Sequence, residues 1–233
     1  MEKIELTEPN ILTHREKERY RTLRTNIEFS GVENRVIAIT SCTPNDGKST
    51  VSYHLATMLA ESGKTTLLID ADMRKSVMMQ RYKINQEVNG LSHFLSGKLP
   101  ITKVVYETNI KDLYLMPSGV FPTNPTELLG NVRMETLITA LKKTFDYIII
   151  DTPPVGAVID AAVVAKRCDA SLMVVSYDTT SRVEAKKMIS QLKNANPNFL
   201  GVVLNKVRVG ESSYYYKRYG SYYGKKDGYY GYY

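Results

Sequence analysis

Short, nearly continuous apolar runs alternate along the chain with stretches whose apolar positions recur every three or four residues. The runs Val36–Ser41, Thr66–Asp70, Leu113–Met116, Tyr147–Asp151, Ser171–Ser176 and Gly201–Asn205 read as strands, and continuous apolarity is the pattern of strands covered on both faces. Helical patterns occupy Ser49–Glu61, Thr126–Lys143, Ala157–Lys166 and Val183–Asn194. The second of these carries a start signal: Asn124 as cap, Pro125 at the first helical position and Glu127 reaching back to the cap. Ahead of the first strand, Glu16–Phe29 reads as a helix with Tyr20, Leu23 and Ile27 on one face. Glu18, Arg21, Arg24 and Glu28 lie off that face, as on a solvated flank laced with ion pairs. Strand–helix alternation implies an α/β domain on a doubly wound, mostly parallel sheet, with ligands at the carboxyl ends of the strands.

The length of 233 residues, 43% of them apolar, suits one domain and would cramp two. Two cysteines without a CxxC pair indicate neither a disulfide scaffold nor a zinc cluster, and His14, His54 and His93 form no ligand spacing. No apolar run approaches the roughly 18 residues of a spanning helix, and the first residues lack the signal-peptide pattern, so a soluble cytosolic protein is expected. A net charge of +7 permits polyanionic partners without selecting one. The tyrosines change the picture. Of seventeen, ten lie after Val209: Tyr214, Tyr215, Tyr216, Tyr219, Tyr222, Tyr223, Tyr229, Tyr230, Tyr232 and Tyr233. The segment 210–233 holds no Val, Ile, Leu, Met or Phe, so it buries no aliphatic surface and reads as a mobile tail on a domain ending near residue 209.

Candidate chemistry sits where strands end. Val36–Ser41 runs into Cys42-Thr43-Pro44-Asn45-Asp46-Gly47-Lys48-Ser49-Thr50, and a helix follows. A GKS sequence between a buried strand and a helix is a phosphate-binding loop, in which backbone N–H groups and the helix N-terminus form a concave donor array. Lys48 adds a charge for the β- and γ-phosphates and Ser49 a hydroxyl for Mg²⁺. Cys42 replaces the usual first glycine, so the first turn needs no positive φ there. Asp70 and Asp72 with Arg74 end a second strand, and Asp151 ends another. Carboxylates converging on a GKS loop call for a cation, which a magnesium nucleotide supplies.

With these motifs the chain resembles the bacterial tyrosine kinases of Gram-positive capsule and exopolysaccharide operons. The likeness includes the Ser41–Thr50 loop, Asp70-x-Asp72-x-Arg74, Asp151-x-x-Pro154, Asn124-Pro125-Thr126-Glu127-Leu128-Leu129, Leu204-Asn205-Lys206, the tyrosine-rich end and Glu18-x-x-Arg21-x-x-Arg24, which matches the family's ring-assembly motif. It implies a P-loop NTPase fold akin to the deviant-Walker ATPases that partition plasmids and position cell division, and ATP with Mg²⁺ as cofactors. Residues Pro44 to Thr50 then hold phosphates, Ser49, Asp72 and Asp151 form the metal shell, and Asp70 takes or orients the proton of the incoming tyrosine. Arg74 contacts phosphate charge or pairs with Asp70 or Asp72, and Asn205 reads the adenine. The implied partners are further copies in a ring, a membrane-spanning activator that regulates chain length, and a tyrosine phosphatase. The implied location is the inner face of the cell membrane.

Two other readings compete. Positioning and partitioning ATPases carry an extra lysine five residues before the loop lysine, where this chain has Thr43, and they have no use for ten clustered tyrosines. An adaptor stacking its aromatic tail on nucleic acid would leave the nucleotide set idle, so no nucleic-acid partner is expected.

Overall fold

The computed structural model describes residues 2–8, 11–177 and 179–207. The expected boundary at residue 209 and the tyrosine-rich segment 210–233 lie outside the described residues. The elements run β1 (Lys3–Ile4), α1 (His14–Phe29), β2 (Val36–Ser41), α2 (Lys48–Glu61), β3 (Thr66–Asp70), α3 (Met78–Arg81), α4 (Leu91–Leu95), β4 (Tyr106–Thr108), β5 (Leu113–Met116), α5 (Pro125–Gly130), α6 (Val132–Leu141), β6 (Tyr147–Asp151), α7 (Asp160–Ala165), β7 (Ala170–Ser176), α8 (Arg182–Ala195) and β8 (Phe199–Asn205). The strands form one sheet in the order β1-β4-β5-β3-β6-β2-β7-β8, parallel throughout except for the β4–β5 pair. Alternate side chains of the central strands enter two cores. One includes residues of α1, α2 and α3, and the other residues of α4 to α8. Burial on both faces is why these strands have no polar alternation.

The expected helix Thr126–Lys143 is broken. The chain extends at Asn131 (φ −69°, ψ 151°), whose side chain accepts from the Arg133 N–H and starts α6 afresh. Asn124 makes no side-chain cap; its amide donates to the Glu127 carboxylate at 2.7 Å. Thr13 caps α1 instead, in a reciprocal box with Glu16 that sets the start two residues before the expected one. Among the described residues no helix is long and apolar enough to cross a membrane.

The α1–α2 interface holds a buried titratable group. His54 on α2 lies with its ring 4.8 Å from that of Tyr20 and 5.3 Å from that of Tyr53, with Glu8 3.4 Å from its Nδ1. Burial lowers its pKa from 6.5 to about 4, with Arg81 adding to the effect and Glu16 opposing it. The unfolded chain therefore binds the extra proton between those two values, and stability falls as pH drops through that window. Relative to His54→Phe, the wild type is expected to lose about 2–3 kcal/mol between pH 7 and pH 4.5 in urea titrations.

Candidate active site

The loop between β2 and α2 closes on itself before it can meet a ligand. Asp46 is buried, and its carboxylate accepts from the Thr43 N–H at 2.8 Å and the Thr43 hydroxyl at 3.0 Å. Asn45 (φ 68°) and Gly47 (φ 95°) take left-handed turns. At Gly47 a Cβ would lie 2.2 Å from Asn205 Nδ2, so only glycine gives both the turn and the close approach. From the end of β8, Asn205 donates to the Asp46 carbonyl at 2.8 Å and Lys206 to the Asn45 carbonyl at 2.6 Å. Cys42 has no positive φ, as expected, and its thiol rests 3.4 Å from the Met173 sulfur. Thr43, Pro44 and Asn45 form an exposed rim. Lys48 and Ser49 open α2, where unpaired N–H groups and the helix dipole favour an anion.

Lys48 gathers the strand-end carboxylates. Its Nζ lies 3.0 Å from Asp72 Oδ2, 3.6 Å from Asp151 Oδ2 and 3.2 Å from Ser49 Oγ, and burial covers the whole group. Burial alone would lower the lysine pKa, but Asp151 and Asp72 outweigh it and the pKa is raised, so Lys48 is charged. Asp70 and Asp151 are register partners on adjacent parallel strands. Burial first, then repulsion from Asp151, lifts Asp70 from 3.8 to about 7, against the pull of the Ser76 hydroxyl bonded to its Oδ2 and of Lys48. Asp151 is also raised, by burial, with Lys48 opposing; Ser52 donates to its Oδ1 at 3.2 Å.

This donor set fits Mg²⁺ held jointly with phosphate. Asp151 Oδ2 is buried without a hydrogen-bond donor, and two further carboxylates face the same single lysine, leaving negative charge in excess. Among the described residues no three carboxylate, histidine or cysteine groups form a metal cage by themselves. Mg²⁺ takes one or two carboxylates and completes its shell from phosphates, hydroxyls and water; Asp72 and Asp151 would be those carboxylates, with the Ser49 hydroxyl beside them.

Arg74 points elsewhere. Its guanidinium grips Asp160 at the start of α7, Nε to Oδ2 at 2.7 Å and Nη2 to Oδ1 at 3.2 Å. Thr126 joins the pair: its hydroxyl donates to Asp160 Oδ1 at 2.6 Å and accepts from Arg74 Nη2 at 2.9 Å. The expected pairing of the Arg74 side chain with Asp70 or Asp72 is absent; only its backbone N–H reaches Asp72 Oδ1, at 3.3 Å.

Residues 34–200 match the AAA domain family. The tyrosine-protein kinase CpsD of Streptococcus agalactiae is 43% identical over 228 residues, covering 97% of this chain and 98% of that protein. The chain belongs to the bacterial tyrosine kinases. The kinase domain of the Escherichia coli tyrosine kinase ETK superposes with a TM-score of 0.79 at 32% identity, over 93% of this chain and 80% of that one. A more distant likeness links this kinase to the septum site-determining protein MinD of Pyrococcus horikoshii, complexed with Mg-ADP, with a TM-score of 0.64 at 25% identity over 76% and 72% of the two chains. The kinase is thus a nucleotide-binding P-loop protein with a mostly parallel sheet.

In this kinase the Glu18-x-x-Arg21-x-x-Arg24 motif divides between two surfaces. Glu18 and Arg21 pair with each other in solvent. Arg24 turns inward: Nη1 donates to the Met58 carbonyl on α2 at 3.3 Å, and Nε lies 3.7 Å from Glu28. The flank expected to be exposed throughout is therefore half-buried at Arg24. Sequence reasoning gave no role to Ser52, Ser76, Arg81 or Asp160, which hold Asp151, Asp70, the Thr50 hydroxyl and Arg74 in turn. Thr126 was visible only as part of a motif. A serine four residues after Lys48, on the same helical face, was the one local signal for these partners.

Proposed function

We propose that this kinase transfers the γ-phosphoryl group of ATP, with Mg²⁺, to the tyrosines of residues 210–233 on a neighbouring copy, in control of capsular or exopolysaccharide polymerisation and export. The observation that carries the reading is the placement of Asp70, a buried carboxylate paired in register with Asp151 at the strand ends and set beside the Lys48–Asp72–Asp151 cluster. A phenol with a pKa near 10 is almost wholly protonated at pH 7, and an acceptor whose own pKa lies near the working pH is suited to take that proton. The phenolic oxygen bonds to the γ-phosphorus, the bond from that phosphorus to the β–γ bridging oxygen breaks, ADP leaves, and the proton passes to Asp70. Lys48 and the α2 N-terminus hold the phosphates as charge shifts toward the bridging oxygen. Mg²⁺, when bound by Ser49, Asp72 and Asp151, neutralises phosphate charge. Asn205 stands against the loop as the residue for the adenine.

A membrane-spanning activator, a homo-oligomeric ring and an opposing tyrosine phosphatase complete the reading, which places the kinase in the cytoplasm at the membrane's inner face. Mass spectrometry after incubation with ATP and Mg²⁺ should find phosphate on tyrosines of 210–233 in the wild type and none in Asp70→Asn. Phosphate release without phosphotyrosine would favour the MinD-like ATPase reading. Four or five phosphotyrosines, at about −1.5 to −2 each, cancel the net +7.

The divided arginine motif gives a separate expectation. Arg21→Ala should convert the oligomer to monomer by light scattering with little change in unfolding midpoint, because among the described residues the Arg21 guanidinium pairs with exposed Glu18 alone. Arg24→Ala should lower the midpoint as well, since it removes a brace between α1 and α2. An oligomer that survives Arg21→Ala would reduce this helix to a solvated flank.

A further inference from the structure

Four carbonyls of the phosphate loop have fixed partners. The Thr43 carbonyl accepts from the Ser41 hydroxyl at 2.8 Å and the Gly47 carbonyl from the Val51 N–H at 3.0 Å. Between them, the Asn45 carbonyl accepts from Lys206 Nζ at 2.6 Å and the Asp46 carbonyl from Asn205 Nδ2 at 2.8 Å. A trans peptide unit points its carbonyl and its N–H in opposite directions. Fixing the carbonyls of Asn45 and Asp46 therefore fixes the N–H groups of Asp46 and Gly47 on the opposite side. Among the described residues the N–H groups from Asp46 to Ser49 meet no protein acceptor. The left-handed turns at Asn45 and Gly47 curve them into one concave donor array.

Two of the four partners are local; the other two come from the end of β8, 159 and 161 positions along the chain. Strand β8 is joined to β2 through β7, so its end bridges to the loop past the end of β7. Its own backbone is held by the ladder: Asn205 lies opposite Ser176, and the Tyr177 N–H donates to the Asn205 carbonyl at 2.8 Å. At Lys206 the chain turns left-handed (φ 59°), a conformation that residues with a side chain seldom take. An exposed lysine usually trails its hydrated ammonium into water on a flexible stem. This one is exposed and still ends on a loop carbonyl.

We propose that the end of β8 is a clasp that sets the phosphate loop in its anion-binding form before a nucleotide arrives, with Lys206 as the positioning residue. The proposal rests on the nucleotide-binding part of the reading above and is independent of tyrosine transfer. Lys206 acts through the Asn45–Asp46 peptide and not on phosphate. Released, that peptide is free to rotate, and a rotated unit turns a carbonyl toward the phosphates where an N–H belongs. The clasp thus replaces a cost at binding by an arrangement already present in the free protein. Asn205 divides its amide, with Nδ2 spent on the loop and Oδ1 left for the adenine, so its loss disturbs phosphate and base together. Lys206 serves the phosphates alone.

The test titrates the full chain with fluorescent ADP in Mg²⁺ and displaces it with inorganic pyrophosphate or with adenosine. Lys206→Met should weaken ADP and pyrophosphate together by about tenfold and adenosine by less than about twofold. Lys206→Arg, which keeps both charge and donor, should restore most of the loss. Removing a cation also weakens attraction through space, and two readouts separate that from the clasp. The loss should persist in 0.5 M salt, roughly where surface attraction is screened. In the ligand-free variant, ¹⁵N relaxation should show Asn45 to Gly47 gaining fast motion that the wild type lacks. A loss that salt abolishes, with the loop as stiff as before, makes Lys206 a distant charge and overturns the clasp. Equal weakening of adenosine and ADP, or a lowered unfolding midpoint with ADP affinity intact, overturns it too. A wild type that binds no fluorescent ADP defeats the nucleotide reading beneath, before any variant is compared.

Discussion

Lys48→Met and Asp70→Asn should both abolish tyrosine phosphorylation, by more than about 10³-fold for the lysine, yet move stability in opposite directions. Among the described residues Lys48 is the one cation paired with Asp72 and Asp151 in a buried cluster, with Asp70 adding to the same field. Deleting it leaves uncompensated buried charge, a change that costs about 3–5 kcal/mol. Asp70 is on the other side of that balance. Its pKa is about 7 in the folded chain and 3.8 by default, so the folded state holds the extra proton between those values and stability falls as pH rises through them. An asparagine has no charge to repel Asp151 and can still accept the Asp72 N–H, now 3.1 Å from Asp70 Oδ1. In metal-free buffer, Asp70→Asn should match the wild type near pH 4 and exceed it by roughly 4 kcal/mol at pH 8. Urea titrations at the two pH values measure this, beside a phosphotyrosine assay. A lysine variant as stable as the wild type at pH 8 would mean that the carboxylates do not depend on it.

The parts legible in the sequence are those whose physics is local. Strands β2, β3, β5 and β6 begin and end at the expected residues, because burial on both faces leaves no polar interruption and each run ends in a marked turn or carboxylate. The phosphate loop and Asp70, Asp72 and Asp151 were legible because a parallel sheet delivers all its strand ends to one rim. Strands β1 and β4, of two and three residues, are too short to show a period. The break at Asn131 was missed because apolar spacing continues through it; the asparagine restarts the helix by a side-chain bond that periodicity does not register. Side-chain partners were the least visible. Arg74 and Asp160 stand 86 positions apart, and only the packing of α7 beside the end of β3 brings them together. Arg24 looked like a surface residue because charge alone does not tell whether a stem lies along a neighbouring helix.

The Arg74–Asp160 pair should reveal its role through an asymmetry. Asp160 is fully buried, whereas the Arg74 side chain keeps 39% of its surface exposed. Removing the arginine strands a carboxylate in the core; removing the carboxylate frees a guanidinium that can turn to water. Arg74→Ala should therefore cost about 3 kcal/mol or more and Asp160→Asn roughly 1, and the double variant should recover much of the Arg74→Ala loss, since the buried charge is then gone. Function separates the two possible uses of the arginine. The backbone N–H groups of Arg74 and Lys75 hold Asp72 Oδ1, at 3.3 and 3.0 Å, while Asp72 Oδ2 holds Lys48. If Arg74 acts by fastening that turn to α7, Asp160→Asn slows phosphorylation nearly as much as Arg74→Ala, and Thr126→Val slows it less, because losing that hydroxyl leaves the direct Arg74–Asp160 pair in place. If Arg74 instead swings to phosphate during the reaction, Asp160→Asn releases it for that task, and the rate holds or rises while Arg74→Ala alone loses it. The geometry favours the first outcome: a bidentate guanidinium–carboxylate pair, closed by a third hydroxyl and sealed from water on the carboxylate side, is hard to open. Initial rates of phosphotyrosine formation for the three variants, read beside their urea midpoints, decide between them.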